Sequence, residues 1–331
     1  MQLKKLEDQV IVITGASSGV GLATARMAAE RGAKVVLGAR SEDGLRKAMS
    51  DIEQSGGKGS SFVLDVADEA AVTALAAHAA HTFGRIDTWI NNAAVGIYGR
   101  LEDLSISDMR RVMEVDFWGA VYGCRAAIPH LRRAGGGALI TVGSIASDVA
   151  MPLLGMYSAA KHAVRAFIDA LRIELEKERA PIAVTLVKPG SLDTPFFEHA
   201  GSFTGKDPTP PPPVYAPELV ARTILSCAET PKRDVFVGGS ARLQSALFRR
   251  FPQLSDRLLR ATYDAQQREP RPGRAPEGAL YVPHGTHGLE RGDYSGRVLR
   301  RSATTYVSLH PLLAAATLGA AGLGVSFFMR S

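Results

Sequence analysis

An alternation that runs unbroken from residue 9 to residue 238 constrains this chain more than any other feature. Seven short apolar runs occupy residues 9–14, 33–39, 60–65, 87–91, 138–143, 182–188 and 234–238. Between them lie longer segments, such as 21–31 and 164–177, whose apolar residues recur every three to four positions. A strand without polar alternation needs both faces covered, and intervening helices supply that cover. The pattern predicts an α/β fold with a doubly wound parallel sheet in three αβα layers.

The alternation fails twice. Residues 201–217, "GSFTGKDPTPPPPVYAP", are rich in proline and glycine and interrupt the fold before a last helix and strand. After Gly239 come two helical stretches, 241–251 and 254–267, then a polar Pro/Gly/Arg-rich segment that reads as an exposed linker. The expected organisation is a main domain over 1–250 with a lid near 195–217, a helical and linker extension over 251–302, and an apolar tail over 303–331. Residues 311–329 carry no charge, and arginines stand on either side at 300, 301 and 330. At ~1.5 Å per residue, this run is long enough for a membrane-associated helix. Its Ala and Gly content fits equally a helix docked on protein.

Composition excludes several classes. The apolar share is 46% and the net charge +6, and the late basic residues lack interleaved aromatics, so no nucleic-acid partner is expected. Two distant cysteines, Cys124 and Cys227, make neither a disulfide framework nor a metal set. The first residues enter a strand without a signal-peptide core. These features suit a cytoplasmic protein, membrane-associated if residues 311–329 attach to a bilayer. His284 and His287 have a metal-compatible spacing but no third ligand, and read as linker residues.

The first strand runs into "TGASSGVG", residues 14–21. Gly15, Gly19 and Gly21 allow a tight turn and close approach of a pyrophosphate, facing the positive end of the helix that follows. Ser17, Ser18 and Val20 belong to the same loop. The second strand ends in Ala39 and Arg40, where an NAD site generally holds a carboxylate for the ribose hydroxyls. A guanidinium there suits a 2′-phosphate, so the cofactor expected is NADP(H). The alternative for Arg40 is a solvent-facing strand end.

"MYSAAKHAV", residues 156–164, places Tyr157 and Lys161 on one helical face. A neighbouring ammonium favours phenolate and draws the tyrosine toward use as a general acid–base group near neutral pH. Ser144 closes the strand-like "GALITVGS", at the sheet edge where parallel strands build binding crevices, and could hold a carbonyl oxygen beside Tyr157.

With TGASSGVG, "LDV" (64–66), "NNAA" (91–94), Ser144, YSAAK and "KPGSLDTPF" (188–196) in this order, residues 7–240 resemble a classical short-chain dehydrogenase/reductase. The resemblance implies a Rossmann sheet and hydride transfer between a nicotinamide and a carbonyl or alcohol. It implies that Tyr157 exchanges the proton, Lys161 tunes it and binds the nicotinamide ribose, and Ser144 orients the substrate oxygen. Asp65 and Val66 would frame the adenine, and Asn92 with Ala93 would lie along the cofactor. Pro189, Gly190 and Thr194 would wall the nicotinamide. Two positions depart from the family pattern: Ala94 replaces a glycine, and Asp116 in "VMEVDFWGA" replaces an asparagine of the proton relay. Asp116 could hold a water or pair with Lys161, so an altered pH profile is expected.

The segments 95–99, 149–156 and 195–203 are apolar and aromatic, which favours a hydrophobic ketone, aldehyde or secondary alcohol of steroid-, retinoid- or lipid-like character. Two alternatives stand beside this expectation: an NADPH-binding sensor or scaffold with weakened catalysis, and a reductase of carrier-bound 3-oxoacyl chains. The second would need a basic patch by the lid, where only Lys206 is present. A homo-oligomer through the helices near 106–133 and 157–179 is also expected from the resemblance.

Overall fold

The protein is described by a computed structural model over residues 2–269, 275–283 and 288–310. His284, His287 and the uncharged run 311–329 lie outside the described residues. All seven expected strands form, within one or two residues: β1 Val10–Thr14, β2 Lys34–Ala39, β3 Lys58–Val63, β4 Thr88–Asn91, β5 Gly137–Val142, β6 Ile182–Pro189 and β7 Asp234–Val237. They build one parallel sheet in the order β7-β6-β5-β4-β1-β2-β3. The order reverses beside β1, so the crevice beyond its carboxyl end is the place for a dinucleotide. Burial follows position: every residue of central β1 is buried, whereas edge strand β3 alternates half-buried with exposed.

Helices α1 Gly19–Glu30 and α2 Glu42–Gln54 cover one face, and α3 Glu69–Phe83 the other. Side-chain oxygens cap α2 and α3: Ser41 accepts from Gly44 N–H, and Asp68 from Ala70 and Ala71 N–H. The expected long helix over 106–133 is interrupted. α4 Ile106–Met113 and α5 Gly119–Arg133 flank a π-helical turn, Glu114–Trp118, which contains Asp116. An extra residue in one turn leaves the apolar period intact on either side, so spacing could not reveal it. α6 is the long helix Gly155–Lys177.

The segment expected as a lid forms the single turn α7 Phe196–His199 and short ladders. Gly201–Ser202 pairs with Ile97–Tyr98, and Asp207–Pro208 with Gln267–Arg268. Val214–Tyr215 pairs with Val298–Leu299, and α8 Pro217–Glu229 then packs on the α1 face. α9 Gly239–Arg250 closes the region expected as the main domain, α10 Pro252–Ala261 opens the extension, and α11 Ala303–Leu309 begins the segment expected as the tail. The extension is not an exposed linker throughout, as its composition suggested. Ala279 and Leu280 are 5% and 1% exposed, because the chain folds back into the main cleft. Among the described residues no helix is long and apolar enough to cross a membrane.

Candidate active site

Six of the parallel strands, β1 to β6, are followed by residues that line one cleft of about 270 Å³. At one end, Tyr157 lies in the first turn of α6 with Lys161 one turn later, its Nζ 5.4 Å from the centre of the phenol ring. Ser144 follows β5 in extended conformation; its Oγ accepts from Ala146 N–H at 3.0 Å, and its hydroxyl is near enough to lower the Tyr157 pKa. The expected triad therefore converges.

Lys161 is buried, with Nζ donating to the Val142 carbonyl at 3.5 Å and lying 3.4 Å from Asp116 Oδ2. Asp116 Oδ1 accepts from Val95 N–H at 2.8 Å. The π turn thus aims a carboxylate at Lys161, the pairing that the sequence left open. A small polar cavity of about 10 Å³ adjoins both residues with Thr14, Asn91 and Thr141, roughly the room one water needs. Burial works against the Lys161 ammonium, but Asp116 and Tyr157 hold its pKa above the ordinary lysine range. Burial also pushes Asp116 upward, opposed by Lys161 and the Val95 amide.

Tyr157 departs from expectation. It opens onto the cleft, yet burial pushes its phenol above its ordinary value. Lys161 and the Ser144 hydroxyl pull it down, while the Asp116 carboxylate pushes it further up. Spacing alone counted the ammonium and omitted burial and the opposing carboxylate.

The glycine turn is built for close approach. Gly15 and Gly19 have φ of +67° and +56°, in the left-handed region. A Cβ on Gly21 would stand 2.2 Å from the Gly15 carbonyl oxygen, so Gly21 packs beneath the turn rather than on the cleft surface. Asn92 donates from Nδ2 to the Thr14 and Gly15 carbonyls at 3.0 and 3.1 Å, fixing the turn to the end of β4. Ser17, Ser18, Gly19, Val20, Asn92 and Ala93 face the cleft. Pro189, Gly190 and Thr194 line it farther along, as do Asp65 and Val66.

Arg40 lines the cleft as expected, but its guanidinium is engaged by the extension. It donates to the Ala279 carbonyl at 2.6 Å and to those of Leu280 and Tyr281 at 3.0 Å. Arg111 of α4, which no sequence signal singled out, pairs with Asp65 and donates from Nε to the Leu280 carbonyl at 3.2 Å. Two arginines thus meet on one carbonyl oxygen. Burial and the facing Arg111 lower the Arg40 pKa, with Asp65 opposing. Farther along, Gly19 N–H donates to the Leu289 carbonyl at 2.9 Å, and Gly288 N–H to the Ser17 carbonyl at 2.9 Å.

The remaining walls are apolar and aromatic: Tyr98, Met151, Leu154, Phe196 and Phe197, with Pro211 from the lid and Gln266 from the extension. The Phe196 ring stands 5.4 Å from that of Tyr157. Trp118 and Phe117, weighed as packing residues, lie outside the cleft, Trp118 stacked on Tyr122 and Phe117 edge-on to Phe167. Among the described residues no cluster of His, Cys, Asp and Glu could hold a metal.

The cleft carries elements suited to a dinucleotide, positive-φ glycines at the start of α1 and a guanidinium pair at one end, although the Gly19 amide and the Arg40 guanidinium are engaged by carbonyls of residues 279–289. The short chain dehydrogenase family model matches residues 9–204. The chain is 44% identical over 320 residues to the uncharacterized oxidoreductase YxnA of Bacillus subtilis, covering 96% of this chain and 90% of that one. It is 33% identical over 244 residues to dehydrogenase/reductase SDR family member 7B of Xenopus tropicalis, covering 71% and 78%. An alcohol dehydrogenase from Thermococcus sibiricus, solved with 5-hydroxy-NADP, superimposes with a TM-score of 0.61 at 29% identity, over 69% of this chain and 95% of that one. With the Ser144, Tyr157 and Lys161 geometry in place, the chain belongs to the classical short-chain dehydrogenase/reductase family and is an oxidoreductase of that family.

Proposed function

We propose that this protein is an NADP(H)-dependent oxidoreductase acting on an apolar ketone, aldehyde or secondary alcohol. The observation that carries this reading is the convergence of Tyr157, Lys161 and Ser144 on a cleft that also holds the glycine turn and Arg40. When bound, the nicotinamide gives or takes the hydride.

Ser144 Oγ and Tyr157 Oη position the substrate oxygen. In reduction Tyr157 delivers the proton to that oxygen, and in oxidation it removes it. Lys161 stays protonated beside Asp116 and supports the phenolate that reduction leaves behind. Asp116, through its contact with Lys161, positions the ammonium and shifts the balance of Tyr157 toward phenol. The apolar walls exclude water and favour a hydrophobic skeleton.

Preference for the 2′-phosphate rests on Arg40 and on the absence of a carboxylate at the end of β2. The carbonyls at 279–281 are neutral acceptors. A phosphate adds a full opposite charge and oxygens that match the guanidinium fork, which favours it over those carbonyls. The NADP derivative in the Thermococcus sibiricus relative supports the same choice.

The Lys161–Asp116 pair favours one second reading, a protein that binds NADPH and turns over little. Following NADPH and NADH absorbance with a panel of apolar carbonyls separates the two. Consumption of NADPH well above NADH supports the enzyme, whereas NADPH binding with no consumption across the panel supports the second reading.

A further inference from the structure

Large apolar side chains that reach solvent are scattered singly over most of the protein, where they need no explanation. They gather on the helices near the end of the described chain. Leu243 of α9, Phe251 at the joint, and Leu254 and Leu258 of α10 are each between 47% and 68% exposed. Leu254 and Leu258 lie four positions apart and Phe251 three before, so they form one stripe along α10. The inward side of the same helices is already used. Ala241, Phe248 and Leu259 pack with Ile145, Val149 and Met151, which fixes the helix pair to the body of the protein and keeps the stripe outside. Tyr306 and Val307 of α11 are exposed as well, and Thr304 stands beside Gly239, the first residue of α9.

The charge around this stripe has one sign. Residues 239–261 carry five arginines and a single carboxylate, Asp256. Arg242, Arg250, Arg257 and Arg260 are exposed, and none forms an ion pair among the described residues. Elsewhere exposed arginines such as Arg46, Arg100 and Arg132 do find carboxylates. The chain runs on past α11 into residues 311–329, which carry no charge. An uncharged run therefore starts from the helix that adjoins α9.

We infer that the α9–α10 face is a docking surface for an anionic lipid bilayer. Its leucines and Phe251 enter the headgroup boundary, and its arginines pair with the lipid phosphates and carboxylates. One short apolar stripe attaches a protein only marginally, and stable attachment takes a second signal. The uncharged run beside α11 is that second signal. An acidic protein partner would account for the arginines but not for the neighbouring run. The surface is independent of the reaction in the cleft.

The native cysteines, Cys124 and Cys227, are buried, so Leu258→Cys in the full-length protein accepts an environment-sensitive fluorophore selectively. Leu254→Cys takes its place if the first variant does not fold, and Glu53→Cys, on an exposed position of α2, is the control. With vesicles of phosphatidylcholine and phosphatidylserine in equal parts, the label at 258 should shift to the blue and that at 53 should not. Vesicles of phosphatidylcholine alone should give a weaker shift. Arg257→Gln and Arg260→Gln should each lower affinity for the mixed vesicles by about fivefold, the share of one arginine near an anionic surface. Their melting temperatures should stay that of the unmodified protein. The inference is overturned if the label at 258 ignores the mixed vesicles, if it responds equally without phosphatidylserine, or if the arginine variants bind undiminished. A label at 258 already blue-shifted without lipid overturns it too. Dependence on protein concentration then identifies a second copy of the chain on this face, and independence identifies the chain's own residues 311–329.

Discussion

The two ends of the cleft are built in different ways. At the reaction end, Ser144, Tyr157, Lys161 and Asp116 come from β5, α6 and the π turn, all within residues 114–161, and they hold one another in place. At the adenosine end, Arg40 is held by carbonyls 239 to 241 positions later in the chain. The Gly19 amide, which opens α1, is likewise taken by Leu289. One end is complete within the main domain. At the other, the donors meant for anions are already paired with neutral oxygens of the extension. On the proposed function, the chemistry rests on residues 114–161, and cofactor entry is expected to compete with the carbonyls of residues 279–289.

The largest expected effect tests the first half of that contrast. Tyr157→Phe should lower turnover by roughly 10³-fold, within the range for loss of a general acid–base group. NADPH affinity, followed by fluorescence titration, should stay near wild type. Normal turnover in this variant would remove the proton donor and the reaction end with it.

Arg40→Asp tests the second half. It should reverse the preference for NADPH over NADH by about 10- to 100-fold, as expected for loss of charge-assisted bonds and gain of repulsion. The same change deletes three donors to the extension, so exchange at the Ala279 and Leu280 amides should quicken. Unchanged cofactor preference with faster exchange would mean that Arg40 serves the extension alone.

A smaller effect tests the exchange directly in the unmodified protein. Adenosine 2′,5′-bisphosphate should speed hydrogen exchange at the Ala279, Leu280 and Gly288 amides more than adenosine 5′-monophosphate does. Equal effects would show that the 2′-phosphate does not compete with those carbonyls.

The smallest effect is a shift in pH dependence. The Asp116 carboxylate raises the pKa of Tyr157, so Asp116→Asn should lower it. Reduction needs protonated Tyr157, and its rate falls as pH rises through that pKa. The alkaline limb should therefore move to lower pH in the variant, and oxidation at neutral pH should gain. A shift in the opposite sense would mean that loss of support for Lys161 dominates.

What the sequence disclosed follows the same division. The strands were legible because each is a continuous apolar run, and the proposed catalytic pair because Tyr157 and Lys161 are related by one helical turn. The π turn was hidden because the apolar period resumes beyond it. Arg111 is one of two adjacent arginines, and nothing local marks its pairing with Asp65. The segment 275–292 was misjudged for a clearer reason. Its contacts with Arg40 and Gly19 use backbone carbonyls, which every residue possesses, so composition rich in Gly, Pro and Arg read as solvent-facing.

The ladder between Val214–Tyr215 and Val298–Leu299 carries one more consequence. Four residues beyond it, α11 begins, and Thr305 Oγ1 accepts from the Gly238 amide at 3.0 Å just past the end of β7. Traction on the chain past His310 would therefore load the strip that bears Pro211, part of the substrate wall, together with the sheet margin. Residues 298–305 are in this sense a clasp between the mouth of the cavity and the sheet.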